Sequence, residues 1–280
     1  MTPEHVTLPR LTVITPSLNQ AKYLERTLRS VLDQGYPDLE YIVMDGGSTD
    51  GSVEILRRYD NRLAHWVSEP DHGQSWAINR AIERSTGEVI AYINSDDYYL
   101  PGAFEAALSY FADPTVRWVA GATEYREADG TLESFLVPTQ PVGSRPSWVR
   151  STWYVSQAAS FWRRDVFDEF GLLREDLDYV FDTEFGLRLA IGGLRPLIFE
   201  HPVAVRFLHH EAKSADRSRF DREYREVAKQ LRRQLTWSER AHDLGFRLLY
   251  GALRAQYLAR KRVGLLHLRE RWFRGRFAKG

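Results

Sequence analysis

A chain of 280 residues with 43% apolar and 13% aromatic residues has ample material for a packed core, which excludes a disordered polymer or a small loop-rich scaffold. It has no cysteine, so no disulfide framework or thiolate metal site can be built, which fits a reducing compartment. The formal net charge of zero hides a segregation: Arg217 to Gly280 carries 18 Lys and Arg against 6 Asp and Glu, a tail of +12 on a body of −12.

Met1 to Arg10 shows no apolar segment of the secretory kind, so a cytoplasmic protein is expected. Leu11-Thr12-Val13-Ile14-Thr15 reads as a β-branched strand broken into a loop by Pro16-Ser17-Leu18-Asn19. A helix fits Ala21 to Gln34, with Leu24, Leu28, Val31 and Leu32 on one face and Gly35 behind it. Glu40 to Met44 is a second strand, and Val53 to Tyr59 a second helix. Between them, Asp45-Gly46-Gly47-Ser48-Thr49-Asp50-Gly51 is neither a Gly-x-Gly-x-x-Gly fingerprint nor a P-loop. Asp45, at a strand end beside a glycine turn, can form an Asx-turn or accept the imide N–H of a uracil. Asp50 or Ser48 is expected to cap the following helix.

Leu63 to Ser68 reads as a more exposed strand. Glu69-Pro70-Asp71-His72-Gly73-Gln74-Ser75 then leads into a helix over Trp76 to Arg84, whose first N–H groups, with Gln74, can face an anion. The run Val89 to Ile93 has the character of a strand buried on both faces, as in parallel sheets covered by helices. It ends in Asn94-Ser95-Asp96-Asp97 at the sheet's carboxyl edge, where open α/β sheets bind ligands. Adjacent carboxylates there either cap the next turn or share a divalent ion with a phosphate.

A helix over Gly102 to Ala112 and a strand at Trp118 to Gly121 follow. Glu124 to Val149 is polar and punctuated by Pro138, Pro141, Gly143 and Pro146, an expected irregular surface excursion. Tyr154 to Trp162 returns to the core and offers Gln157 to the pocket, and a short helix ends near Gly171. Asp176, Asp178, Asp182 and Glu184 crowd one segment, where like charges can raise one another's pKa. Val203 to Phe207 is a late strand leading to His209 and His210, of which at most one can face a given site.

In this order the chain resembles the family 2 inverting glycosyltransferases of the GT-A fold. The resemblance covers roughly residues 10 to 215 and rests on Thr15 to Asn19, Asp45 to Asp50, Ser68-Glu69-Pro70-Asp71-x-Gly73, Asn94 to Asp97, and Asp182-Thr183-Glu184 running into Leu187-Arg188. It implies an α/β fold with a mostly parallel central sheet flanked by helices: a catalytic domain over residues 1–215 and a basic helical extension over 216–280. It also implies a nucleotide-sugar donor, most often a UDP-sugar. Pro16, Ser17, Asn19, Gly46, Asp71 and Gln74 would then line the donor site, with Asp45 at the uracil and Asp96 at the ribose. Asp97 and His209 would be ligands of Mg²⁺ or Mn²⁺, and Asp182 the general base, with Glu184 as its alternative. Gly46 and Asn94 depart from the pattern, since many members carry Asp at both places.

The extension mixes Leu, Trp and Phe with Arg and Lys, and has no apolar run near the twenty or so residues that span a bilayer. It is expected to lie on an anionic membrane surface, to pack on the catalytic domain or to form a homodimer. No nucleic-acid motif is present. The activity implied is metal-dependent transfer of a sugar to a saccharide or lipid-linked acceptor in surface polysaccharide synthesis. The competing readings are an inactive nucleotide-sugar-binding scaffold and a sugar nucleotidyltransferase.

Overall fold

A computed structural model describes residues 8–127, 129–138, 155–209, 213 and 216–233. Its first half alternates strand and helix: β1 (Leu11–Ser17), α1 (Ala21–Leu32), β2 (Leu39–Asp45), α2 (Ser52–Arg58), β3 (His65–Ser68), α3 (Gln74–Arg84) and β4 (Val89–Tyr92). These four strands lie parallel in the order β3-β2-β1-β4. Side chains alternate across each strand, so the sheet divides its core in two. Leu11 and Val13 pack with Leu24, Leu28 and Val31 of α1, and Ile14 packs with Ala77, Ile78 and Ala81 of α3. That two-sided burial accounts for the unbroken apolar runs of β1 and β4.

The second half comprises β5 (Tyr98–Tyr99), α4 (Ala103–Leu108), β6 (Trp118–Glu127), β7 (Leu132–Leu136), β8 (Ser160–Arg163), α5 (Arg164–Phe170), α6 (Phe181–Ile191), β9 (Leu197–Leu208) and α7 (Arg217–Arg233). The sheet continues as β4-β8-β6-β9-β5, with β7 on β6. Here β8 runs antiparallel to β4 and β6, β9 is parallel to β6, and β5 is antiparallel to β9. The parallel arrangement expected from the sequence thus holds for the first four strands, and the remainder is mixed.

One expectation is corrected. The excursion from Glu124 begins as a hairpin, β6 turning into β7 through Gly130 at φ 84°. Residues 139–154 lie outside the described residues, as do His210 and the tail beyond Arg233. Beyond residue 215, Val227, Ala228 and Leu231 of α7 are buried in the cluster that holds Phe181 and Phe185. Glu223 of the same helix accepts the backbone N–H groups of Asp178, Tyr179 and Val180 at 2.8, 2.6 and 2.8 Å. Since helix starts leave N–H groups without intrahelical partners, a carboxylate there fixes where α6 begins.

Candidate functional site

The carboxyl ends of β1 and β4 open onto a cleft of about 830 Å³ whose lining includes Pro16, Ser17, Asp71, Gln74, Asp96, Asp97, Asp182 and Arg206. Its floor is the turn Asn94-Ser95-Asp96-Asp97, closed by the Asp97 N–H on the Asn94 carbonyl. The buried Thr27 hydroxyl of α1 meets the Ser95 and Asp97 carbonyls at 2.9 and 2.6 Å, and Arg26 donates to the Asp96 carbonyl at 3.1 Å. With its carbonyls held by α1, the turn presents its two carboxylates in fixed and different directions.

Asp96 Oδ2 lies 3.0 Å from His209 Nε2, and the imidazole is set by Tyr23, whose ring centroid is 4.6 Å away. Asp97 is 3% exposed, and its Oδ1 accepts the Phe207 N–H at 2.9 Å. Burial, then the charge of Asp96, push its carboxyl up to about 7, against the pull of Arg206 and the Phe207 N–H. Asp96 thus meets the histidine, while Asp97 accepts a backbone N–H of β9, and both line the cleft. Among the described residues no group of three His, Cys, Asp or Glu side chains can hold a metal ion. The Asp96–His209 pair still fits one, since two donors about 2.1 Å from an ion on one octahedral edge stand about 3.0 Å apart. Mg²⁺ sites take one or two carboxylates and fill up with phosphate and water.

On the opposite wall, Asp182 sits in the first turn of α6, its Oδ1 accepting the Thr183 N–H at 2.6 Å. Burial raises its carboxyl above the ordinary range, and Arg206 and the Thr183 bonds work against the rise. Glu184, the alternative base, is 3% exposed and bound to Arg188 at 3.0 Å. Arg188 in turn donates to the carbonyls of Phe170, Gly171 and Leu172, so Glu184 anchors a loop. Asp176 pairs with Arg174, and Asp178 with Lys213 at 2.8 Å.

Around the first loops the geometry is closed. Asp45 is 2% exposed, and its oxygens accept the Ser48 N–H, the Ser48 hydroxyl and the Ser68 hydroxyl at 2.9, 2.5 and 2.6 Å. These bonds make Asp45 a clamp between the two loops. Asn19, at φ 53°, accepts the Thr49 N–H at 2.9 Å and so joins the first loop to the second. Asp50 bonds the Ser52 N–H and, across the loops, the Ala21 N–H that opens α1, which keeps it out of the chemistry. Gln74 donates to Asn94 Oδ1 at 2.7 Å, and Gln157 donates to the Tyr92 carbonyl from the cleft wall.

Arg206 escaped the sequence reading. It lines the cleft from β9 and couples electrostatically to both Asp97 and Asp182; burial alone would lower its pKa, yet these acids and Tyr125 raise it. A lone arginine between Val205 and Phe207 in an apolar strand was the available signal.

The sequence model of glycosyl transferase family 2 matches residues 12–171. A Bacillus subtilis (strain 168) protein named as a teichuronic acid biosynthesis glycosyltransferase, TuaG, is 36% identical over 132 residues, which cover 46% of this chain and 52% of TuaG. The chain spans about half the length of TuaG and smaller shares of longer relatives. Among solved structures, the Pyrobaculum calidifontis mannosyltransferase PcManGT in complex with GDP-Man and Mn²⁺ superposes with a TM-score of 0.65 at 22% identity, over 93% of this chain and 81% of that one. S. aureus TarS 1-349 in complex with UDP-GlcNAc gives 0.60 at 18% identity, over 78% and 65%. These likenesses show the fold, that of the GT-A enzymes.

Proposed function

The chain belongs to glycosyl transferase family 2, and on that premise we propose that it transfers a sugar from a nucleotide-sugar donor to an acceptor hydroxyl with inversion. The observation that carries this reading is the convergence of the Asp96–His209 pair, Arg206 and Asp182 on one cleft at the sheet's carboxyl edge. Asp182 takes the proton from the acceptor hydroxyl as that oxygen attacks the anomeric carbon on the face away from the diphosphate, and one displacement inverts the centre. A carboxyl raised by burial is a better proton acceptor than an ordinary aspartate. Arg206 opposes the rise at Asp182 and adds positive potential where the leaving group gathers charge.

Asp96 and His209 would hold Mg²⁺ or Mn²⁺, with Asp97 fixing the turn against β9. A divalent ion bound there neutralises the departing diphosphate. Pro16, Ser17, Asp71 and Gln74 form the donor wall, which Asp45, Asn19 and Gly46 shape from behind. A donor of the UDP-sugar class is supported by the UDP-GlcNAc in the TarS complex. A saccharide or lipid-linked acceptor in surface polysaccharide synthesis is supported by the name of TuaG. Among the described residues no helix is long and apolar enough to cross a membrane. The basic residues that follow α7 are proposed to meet an anionic lipid surface.

The test is release of free nucleoside diphosphate when the full chain is mixed with Mn²⁺, a panel of UDP- and GDP-sugars, and oligosaccharide acceptors. Release that depends on both donor and acceptor supports the transfer. Pyrophosphate release from nucleoside triphosphate and sugar phosphate, or donor binding with no turnover on any acceptor, contradicts it.

A further inference from the structure

If Asp45 is sealed in its clamp, the donor wall needs another group to read the base. A Cβ built on Gly46 would lie 2.9 Å from Asp71 Oδ2 and 3.1 Å from its Cγ, so the Asp71 carboxyl group fills the space that a side chain at position 46 would take. The loops hold it there. Gly46 donates to the Ser17 carbonyl at 2.8 Å, and the Glu69 N–H donates to the Asp45 carbonyl at 3.0 Å. At Gly47, with φ 83°, a Cβ would stand 3.2 Å from the Pro70 nitrogen, so the two backbones touch. Asp71 Oδ1 accepts the Gly73 N–H at 2.8 Å. Among the described residues Oδ2 accepts no hydrogen bond, and Asp71 lines the cleft beside Pro16 and Ser17.

We propose that Asp71 is the base-reading carboxylate of the donor site, taking the place that position 46 leaves empty, and that the donor base is one carrying a ring imide or lactam N–H. This rests on reading the cleft as a nucleotide-sugar site. A carboxylate offers only acceptors at neutral pH. It matches uracil N3–H and guanine N1–H, and it repels the ring-nitrogen lone pairs that cytosine and adenine present at the same edge. The small residue at 46 is then a requirement of the design, because a larger one would displace the reading group.

Isothermal titration of the full chain with UDP, GDP, CDP and ADP in the presence of Mn²⁺ tests the proposal. Wild type should bind UDP or GDP about 10–100-fold more tightly than CDP and ADP, the scale of one charge-assisted hydrogen bond. Asp71→Asn should erase most of that preference, because an amide can turn its NH₂ toward cytosine N3. The double variant G46D/D71G returns a carboxylate to the same volume from the other loop, and should restore the preference. A change that merely loosened the loop would weaken all four nucleotides together. Preference for UDP or GDP that survives in D71N and D71G overturns the role of Asp71 and leaves the donor reading intact. Failure of wild type to bind any of the four overturns the donor reading and the proposal with it.

Discussion

The two walls of the cleft are built on different principles. The wall formed by β1, β2 and β3 has Asp45 buried behind it among the neutral donors of Ser48 and Ser68, and at the far end of the same strands Glu40 is satisfied by Thr12 and Thr86. Burial pushes Glu40 up, but those hydrogen bonds outweigh it and hold the carboxyl below the usual range. The wall formed by α6 and β9 buries Asp97 and Asp182 around one guanidinium, and both carboxyls are pushed up. A saturated acid is a structural clamp, as Asp97 also is on the Phe207 N–H, whereas Asp182, near a cation and with its proton affinity raised, is able to act.

The largest effect should separate the two acids of the turn. Asp96→Asn should cut transfer by about 10²–10³-fold and abolish the Mn²⁺ dependence of nucleotide binding. Asp97→Asn, which can still accept the Phe207 N–H, should keep that dependence; titrating Mn²⁺ against UDP in both variants checks which of the two acids holds the ion. Next, Arg206→Met should lower kcat by about 10²-fold and move the acid limb of the kcat profile to higher pH. The sign follows from the base acting deprotonated: burial already raises Asp182, and removing its cation raises it further, so activity is lost at a higher pH as the solution is acidified. A limb that stays in place would show that Arg206 does not support the base.

The first wall was readable as motifs in part because Asp45 with Ser48, and Asp50 with Ser52, lie within one loop, so residue types at short spacing already state those contacts. Asp50 illustrates this: it accepts the Ser52 N–H at the start of α2, although the N-cap itself is Gly51 and not the expected Asp50 or Ser48. What sequence cannot tell at Asp45 is whether the carboxylate is open or closed over, as here, by Ser48 and Ser68. In the second wall the contacts span the chain. Asp182 needs Arg206 from β9 and, through the start of α6, Glu223 from α7, and no local pattern links these three. The β6–β7 hairpin was missed because its polar strand faces solvent, and Leu132 and Phe135 are exposed.

Smaller effects probe how each wall is held. Glu223→Ala should release the start of α6 and lower kcat on the order of 10-fold through misplacement of Asp182, with donor affinity unchanged. Equal losses in kcat and donor affinity would contradict a role confined to the base side. Asp45→Ala leaves three donors without their acceptor and should cost about 1–3 kcal/mol, read as a fall in Tm of about 2–4 °C per kcal/mol. Its KM for donor should rise while the pH profile keeps its shape, which places Asp45 in the clamp and outside the proton transfer.

Asp182→Asn bears most directly on the claim that the two walls act as one site. The variant keeps the bond from the Thr183 N–H and removes only the charge and the proton-accepting capacity. With the donor chosen by the release assay, it should bind that donor with wild-type affinity in the presence of Mn²⁺. Release of nucleoside diphosphate on addition of acceptor should fall by about 10²–10⁴-fold. Wild-type turnover in this variant would contradict the assignment of the base and the account built on it.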